Sequence, residues 1–339
     1  MMTAEQKQFV EFIQAVGRGQ RSGRCLTQAE ASTAMGLLLN DKVSAEQKGA
    51  FLMLLRVREE TADEIAGFTE ACRYTLPSAL SSINVDLDIG AYAGKRRQLP
   101  WFLLAVACLV ENGVTVGMHG TQEPESKRLY IEAVIKAILG KETNKVMAMT
   151  LEDIPSRLQS KGFVYANLSI LHPQLYSLIQ LREQFGLRSC ANTLARLLNP
   201  FAAKFSLQGV HHRHVDEKHM DVAQRLMDKN TLCFRGEGGE PELDPSKDTQ
   251  LLFCRDGERQ NVAFVAKQQW EIKPKALEPA ELKMGWKGET LHSYGENTVL
   301  ASLSALLMLL DNSEYSQASK QAKHMWDTRN TKRFLGCEV

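Results

Sequence analysis

Residues 84–120 read NVDLDIGAYAGKRRQLPWFLLAVACLVENGVTVGMHG, and this stretch decides the fold. Asn84 to Ile89 predicts a short strand, Pro100 to Glu111 a helix with proline in its first turn, and Val114 to Met118 a second strand. A strand, a helix and a strand in that order imply parallel pairing through a right-handed crossover. Loops at the carboxyl ends of such strands are where function is expected.

Upstream of this unit the pattern is helical. Phe9, Phe12, Ile13 and Val16 share one face of a helix over Glu5 to Val16. Thr27 with Glu30, Ser44 with Gln47 and Thr61 with Glu64 each fit a capping box, which marks three further helix starts. Downstream, helices are expected at Lys127–Leu139, Pro173–Gln184, Ser189–Leu198, Val215–Met227 and Thr298–Leu310, and strands at Thr231–Phe234, Gln250–Cys254 and Asn261–Ala266. The expectation is an α/β protein with a small N-terminal all-helical domain, residues 1–78 with a contribution from about 172–200. A larger α/β domain, residues 79–339, carries a mainly parallel central sheet.

Composition excludes several classes. With 44% hydrophobic and 24% charged residues in a chain of 339, a large core can form, and the balance is neither that of a disordered tail nor of a membrane protein. The longest apolar run, Trp101 to Val110, is too short to span a bilayer. Glu5, Lys7 and Glu11 stand where a signal peptide needs apolar residues, so the cytoplasm is the expected compartment, with no membrane partner. The seven cysteines are scattered singly and read as reduced thiols; Cys108 in LLAVACLV is a small buried hydrophobe. A net charge of +1 announces no polyanion partner, so any such case rests on where the charges lie.

Residues 17–73, GRGQRSGRCLTQAEASTAMGLLLNDKVSAEQKGAFLMLLRVREETADEIAGFTEACR, resemble the helical domain of anthranilate phosphoribosyltransferases and nucleoside phosphorylases. NGVTVGMHG is similar to that family's second strand with its K-H-G-N-R loop. HPQLYSLIQLREQFGLRSCANTLARLLNP resembles the segment H-P-x-x-x…R-x-x-L-G-x-R-T-x-x-N-x-L-x-x-x-x-N-P, and LQGVHHRH resembles G-V-Y-H-P-E. The likeness runs over roughly residues 15–310 and implies a glycosyltransferase family 3 fold, with a homodimer formed through the helical domains. Within it, GRG at 17–19, AYAGKRRQLP, MHGTQEPES and GEGGE are most similar to the YbiB-type branch, described as binding nucleic acid without evident sequence preference.

Three loops depart from the active pattern. Where the resemblance places G-T-G-G-D, glycines whose amides wrap a diphosphate, this chain has Gly90-Ala91-Tyr92-Ala93-Gly94-Lys95-Arg96-Arg97. Tyr92 blocks close backbone approach, and Lys95, Arg96 and Arg97 suit an extended phosphate backbone. Met118-His119-Gly120-Thr121-Gln122 replaces K-H-G-N-R, losing both flanking cations, which leaves His119 and Gly120 as a turn. Glu237-Gly238-Gly239-Glu240-Pro241 replaces the D-G-L-D-E loop that the resemblance assigns to magnesium. One of the two adjacent carboxylates is a proline, so no metal is expected and the loop reads as a solvated acidic turn.

Arg18, Arg21 and Arg24 follow the first helix, and Arg182, Arg188 and Arg196 fall in the segment that the resemblance places along the interdomain cleft. With Lys95 to Arg97 they would form one basic strip, although Glu30 and Glu183 stand near enough in sequence to neutralise some of them. Tyr92, at the loop tip, is the stacking candidate, and Trp101 the first core residue of its helix. His211, His212, Arg213 and His214 read as a helix-entry segment rather than a metal site. Lys320, Lys323, Arg329, Lys332 and Arg333 make a basic end, either a further binding surface or a solvated helix.

The reading is a non-catalytic protein without a cofactor that binds single- or double-stranded nucleic acid through Lys95, Arg96, Arg97, Tyr92, Arg18, Arg21, Arg182, Arg188 and Arg196. Gly90, Gly94, His119 and Gly120 are the degenerate phosphate loop. One alternative is a phosphoribosyltransferase acting on another aromatic or nitrogenous acceptor, supported by Arg188, Asn192 and the Asn199-Pro200 turn. Another is a scaffold for a protein partner.

Overall fold

The computed structural model describes the chain except for residues 20, 125 and 272–275, so Gln20 and Glu125 of the quoted motifs lie outside the described residues. Four helices open it: α1 (Ala4–Gly17), α2 (Gln28–Leu39), α3 (Ala45–Arg58) and α4 (Ala62–Tyr74). All three capping boxes are formed, and Thr3 with Gln6 supplies a fourth. Each satisfies amides that would otherwise be orphaned at a helix start, a contribution of about 1 kcal/mol. Phe9, Phe51 and Phe68 are fully buried where the four helices meet, in a cluster that also takes Leu175, Leu178, Leu194 and Leu197 from later in the chain.

An eight-stranded sheet follows, built from β1 (Leu87–Ala91), β2 (Val116–Gly120), β3 (Met147–Ala148), β4 (Phe163–Asn167), β5 (Phe205–Val210), β6 (Asn230–Arg235), β7 (Thr249–Arg255) and β8 (Glu258–Phe264). Its order is β3-β4-β2-β1-β5-β6-β7-β8; only the last two strands run antiparallel to their neighbours. β1 pairs in parallel with β2, Leu87 opposite Val116, as the βαβ reading requires. The strands before β5 lie on one side of β1 and β5 on the other, so the chain reverses direction across the sheet at β1. The crevice beyond the carboxyl ends of β1 and β5 is therefore the topological switch point where ligands bind in open α/β sheets.

The crossover helix Phe102–Glu111 is buried along nearly its whole length, with the helix Ser293–Asp311 packed on it. Trp101 is buried at its start, as expected. β1 begins and ends later than its apolar run suggests; just before it the Asp86 carboxylate accepts from the Thr115 amide and hydroxyl. The expected helix 173–184 divides at Leu181 into Pro173–Gln180 and Arg182–Phe185, the second ended by left-handed Gly186. That over 189–198 shortens to Ala191–Leu194 followed by a 3-10 turn. Strands β4 and β5 carry no alternation to announce them, being buried on both faces. Among the described residues no helix is long and apolar enough to cross a membrane.

Gly67 sets the closest approach in the helical unit, since a Cβ there would lie 2.1 Å from the Gln28 carbonyl oxygen of α2. Gly67→Ala should destabilise the protein by about 1–3 kcal/mol, the usual cost of overpacking. Thermal unfolding checks this, and an unchanged melt would contradict the close α2–α4 contact.

Candidate functional site

The loop after β1 is pinned, not open. Lys95 exchanges both backbone hydrogen bonds with Leu129, at 2.8 and 2.9 Å, and Arg128 Nη1 donates to the Ala93 carbonyl at 2.7 Å. Gly94 adopts φ +67°, and a Cβ there would meet Arg128 Cβ at 2.9 Å, so the glycine serves this close packing. Two expectations need correction. Lys95 is only 2% exposed: its ammonium donates to Glu242 and lies 3.2 Å from Glu237. Burial pulls its pKa down, but the two carboxylates outweigh that and hold it above the ordinary lysine value. Tyr92 is likewise buried, its hydroxyl 2.6 Å from His119 Nδ1, so it offers no face for a base to stack on.

The phosphate cradle is filled from within. Glu240 Oε1 accepts from the amides of Ala93 and Gly94, at 2.6 and 2.5 Å, the kind of pair that would wrap a phosphate oxygen. Glu242 Oε2 accepts from the amide of Phe102 at 2.9 Å, at the start of the crossover helix, the other anion seat of the unit. The acidic turn is thus not solvated, since Glu240 and Glu242 are 1% and 2% exposed. Burial pushes both pKa values up, opposed for Glu240 by the Gly94 amide, Arg196 and Lys95, and for Glu242 chiefly by Lys95. Gly209 and Gly236 admit the turn: a Cβ would lie 2.5 Å from the Glu240 carbonyl carbon and 1.9 Å from its oxygen, respectively.

The carboxyl ends of β1 and β2 carry a second buried polar set. His119 is fully buried, with Nε2 3.1 Å from Asp88 Oδ2 and Nδ1 on Tyr92, so Asp88, His119 and Tyr92 form a closed relay across β1 and β2. Gly120 is needed there because a Cβ would stand 2.3 Å from the Ala91 oxygen, while at Gly90 the nearest atom, Arg196 Cα, would be 3.3 Å away. Farther along, Glu123 is buried and accepts from Arg182, from Arg188 at 2.7 Å and from Asn192 at 2.9 Å. Glu123, not Glu183, is thus the acid that this arginine pair shares.

Arg96 and Arg97 remain exposed, with no acidic partner among the described residues. They border a cleft of about 390 Å³ together with Arg128, His211, Arg235 and Lys247, and with the acids Glu237, Asp244 and Asp248. Arg235 is tied to Asp216 at 3.2 Å and Lys247 to Asp244 at 2.9 Å. Burial, then Arg188 and Arg96, lowers the Arg128 pKa; burial, then His212, Arg128 and Arg188, lowers that of His211. These groups therefore share one field at the carboxyl ends of β1, β5 and β6. Arg196 lies half-buried beneath them, bonded to the Asn192 carbonyl.

Arg18 and Arg21 are exposed on the turn after α1, and no hydrogen bond or ion pair among the described residues joins either to the cleft. Arg24 is neutralised by Glu30 at 2.6 Å. At the C-terminal end, Arg329 stacks on Trp326 at 3.5 Å and Lys323 pairs with Asp327 and Glu296, so these two hold the last helix in place. A larger cavity of about 670 Å³ opens at the amino ends of β5 and β6, beside Arg73, which is bonded to Asp228. Arg128 and Glu123 gave no signal in the sequence beyond ordinary loop charges.

The family model for the helical bundle domain of the glycosyl transferase family matches residues 10–75. An anthranilate phosphoribosyltransferase of Myxococcus xanthus is 30% identical over 234 residues, covering 69% of this chain and 68% of that protein. The chain belongs to the anthranilate phosphoribosyltransferase family. A second such enzyme, from a Geobacillus strain, is 26% identical over 262 residues, covering 77% of this chain and 75% of that protein. The fold extends to the Saccharomyces cerevisiae enzyme solved with PRPP and Mg (TM-score 0.76, 16% identity, 98% and 97% of the two chains). It extends equally to the Thermus thermophilus enzyme (TM-score 0.75, 20% identity, 94% of each chain). Against that family, the residues present here do not fit a diphosphate–magnesium site. Glu240 sits on the amides, Pro241 replaces a carboxylate, and no group of three His, Cys, Asp or Glu among the described residues is placed to hold a metal.

Two outcomes test this geometry. Lys95→Ala should cost about 3–5 kcal/mol of stability, because it leaves Glu242 buried without its cation; denaturant unfolding reads it, and a loss within error would put Lys95 back at the surface. His219, buried and hydrogen-bonded to Gln208 at 2.9 Å, has its pKa pushed down to about 3 from 6.5 by burial, then by Arg196 and Lys218. The unfolded chain takes up this proton near pH 6.5 and the folded one does not, so the stability due to neutral His219 is full above that pH. It is lost as pH falls toward 3, at ~1.4 kcal/mol per pH unit. His219→Gln should flatten the fall in stability between about pH 6 and pH 4 by this slope, and melts that stay parallel to the parent's would contradict it.

Proposed function

We propose that this chain is a non-catalytic member of its family that binds single- or double-stranded nucleic acid without sequence preference, through backbone phosphates, along the basic cleft at the carboxyl ends of β1, β5 and β6. One observation carries the reading. The amides that would hold a diphosphate are occupied by Glu240, while Arg96 and Arg97 of the same loop are turned out to solvent beside Arg128. Fixed guanidinium groups attract a phosphate chain by charge and counterion release, which reads no bases. With Tyr92 buried, no aromatic face of this loop is available for stacking, so affinity rests on the phosphates and falls steeply with salt. The reading places the chain beside the YbiB-type branch and assigns it no cofactor. It includes a homodimer through the helical unit, where Val57 and Leu187 are exposed.

A second reading, phosphoribosyl transfer to an acceptor other than anthranilate, is favoured by family membership and by Arg188 and Asn192. It requires Glu240 to leave the Ala93 and Gly94 amides; the unpartnered Glu240 Oε2 and its raised pKa make that seat a costly one for a carboxylate. This reading predicts release of pyrophosphate from PRPP in the presence of magnesium and an acceptor amine.

Lys95 is structural, so the test replaces only Arg96, Arg97 and Arg128 by alanine. Gel-shift titrations between about 50 and 200 mM salt should show weaker binding across unrelated sequences. The slope of log affinity against log salt should flatten by about two to three units, from three lost phosphate contacts at 0.7–0.9 each. An unchanged slope, or no binding by the parent protein at low salt, would overturn the proposal.

A further inference from the structure

Three internal carboxylates sit on anion seats of this protein, and one of them differs from the others. Glu240 and Glu242 are sealed, and so is Lys95, the cation that holds Glu242. Glu123 is also sealed, its side chain 3% exposed, but the two arginines that hold it are 33% and 34% exposed and open to solvent. Both guanidinium groups converge on the single oxygen Oε2, while Oε1 takes only the Asn192 amide.

That receptor is larger than the carboxylate it holds. Two cations face one anion, and polar atoms of the receptor remain buried without partners: Arg188 Nε and Asn192 Oδ1. A phosphodiester offers an anionic oxygen to each guanidinium in the forked geometry that arginine favours. Glu123 is delivered by the stretch between β2 and the helix Ile131–Leu139, whose described residues form no helix or strand and join one only through the Lys95–Leu129 bridge. Arg128, at the far end of the same stretch, already lies in the field of Arg188 and Arg96.

We infer that Glu123 is an internal stand-in for a backbone phosphate: a nucleic-acid phosphate displaces it from Arg182, Arg188 and Asn192, and the two freed arginines extend the strip formed by Arg96, Arg97 and Arg128. This rests on the nucleic-acid reading above and adds a latch to it. Arg182 and Arg188, expected from sequence to bind, then share one carboxylate in the free protein and become fully available only as the ligand enters. Removing the carboxylate should strengthen binding, the opposite of what losing a structural contact does.

The experiment compares the parent protein, Glu123→Gln, Arg182→Ala/Arg188→Ala and the combined triple variant by fluorescence anisotropy with a labelled oligothymidylate and a labelled duplex, over a salt series. Glutamine keeps the shape, and its amide nitrogen at the Oε1 position is met by an Asn192 side chain turned to accept through Oδ1. The latch predicts about tenfold tighter binding by Glu123→Gln at low salt and a salt slope steeper by about one to two units. Both gains should vanish in the triple variant. Parent binding with no gain in a folded Glu123→Gln overturns the latch and leaves the nucleic-acid reading standing; no binding by any variant overturns both. Should Glu123→Gln not fold, hydrogen exchange of residues 121–129 in the parent protein decides. The latch predicts faster exchange when oligothymidylate binds, and unchanged or slower exchange overturns it.

Discussion

The Glu240 carboxylate accepting the amides of Ala93 and Gly94 is the contact on which the rest of the site depends. Converging backbone amides at the carboxyl end of a parallel strand form an anion seat whatever the surrounding side chains are. A protein with this fold must fill that seat with a ligand, with water or with a group of its own. Here the group is its own. Once Glu240 is seated, Glu242 falls against the crossover helix and draws Lys95 inward, and the relay of Asp88, His119 and Tyr92 closes the remaining space. The loop becomes a packed element rather than an open cradle.

Charge is thereby sorted by depth. The innermost layer pairs buried Glu242 with Lys95 and sets Glu240 in the field of Arg196, at a desolvation cost that close hydrogen bonding offsets. A middle layer sets Glu123 against Arg182 and Arg188. The outermost holds Arg96, Arg97 and Arg128 at the cleft, where none of the three forms an ion pair among the described residues. A net charge of +1 for the whole chain conceals this arrangement, in which Glu237, Asp244 and Asp248 line the cleft beside the arginines.

What the sequence showed and what it hid follow from the range of each interaction. The capping boxes at Thr27, Ser44 and Thr61 act over three residues, and all were legible. The parallel pairing of β1 with β2 followed from the apolar runs and the helix between them, and the bulk of Tyr92 in a glycine loop was a local fact. Lys95 was misread as a surface cation because Glu242 lies 147 residues away, and no pattern in the loop announces a partner at that distance. The same limit hid the link from Glu123 to Arg182 and Arg188, 59 and 65 residues on. A clue to the docked acidic turn was present in Gly209 and Gly236, but a glycine reports close approach without naming what approaches.

The central claim is that the diphosphate seat is taken by Glu240, and calorimetric titration of the full-length protein with PRPP in excess magnesium tests it most directly. The account predicts no saturable heat for the parent protein. A saturable isotherm with a micromolar dissociation constant would show that the carboxylate yields to the diphosphate and would contradict the account.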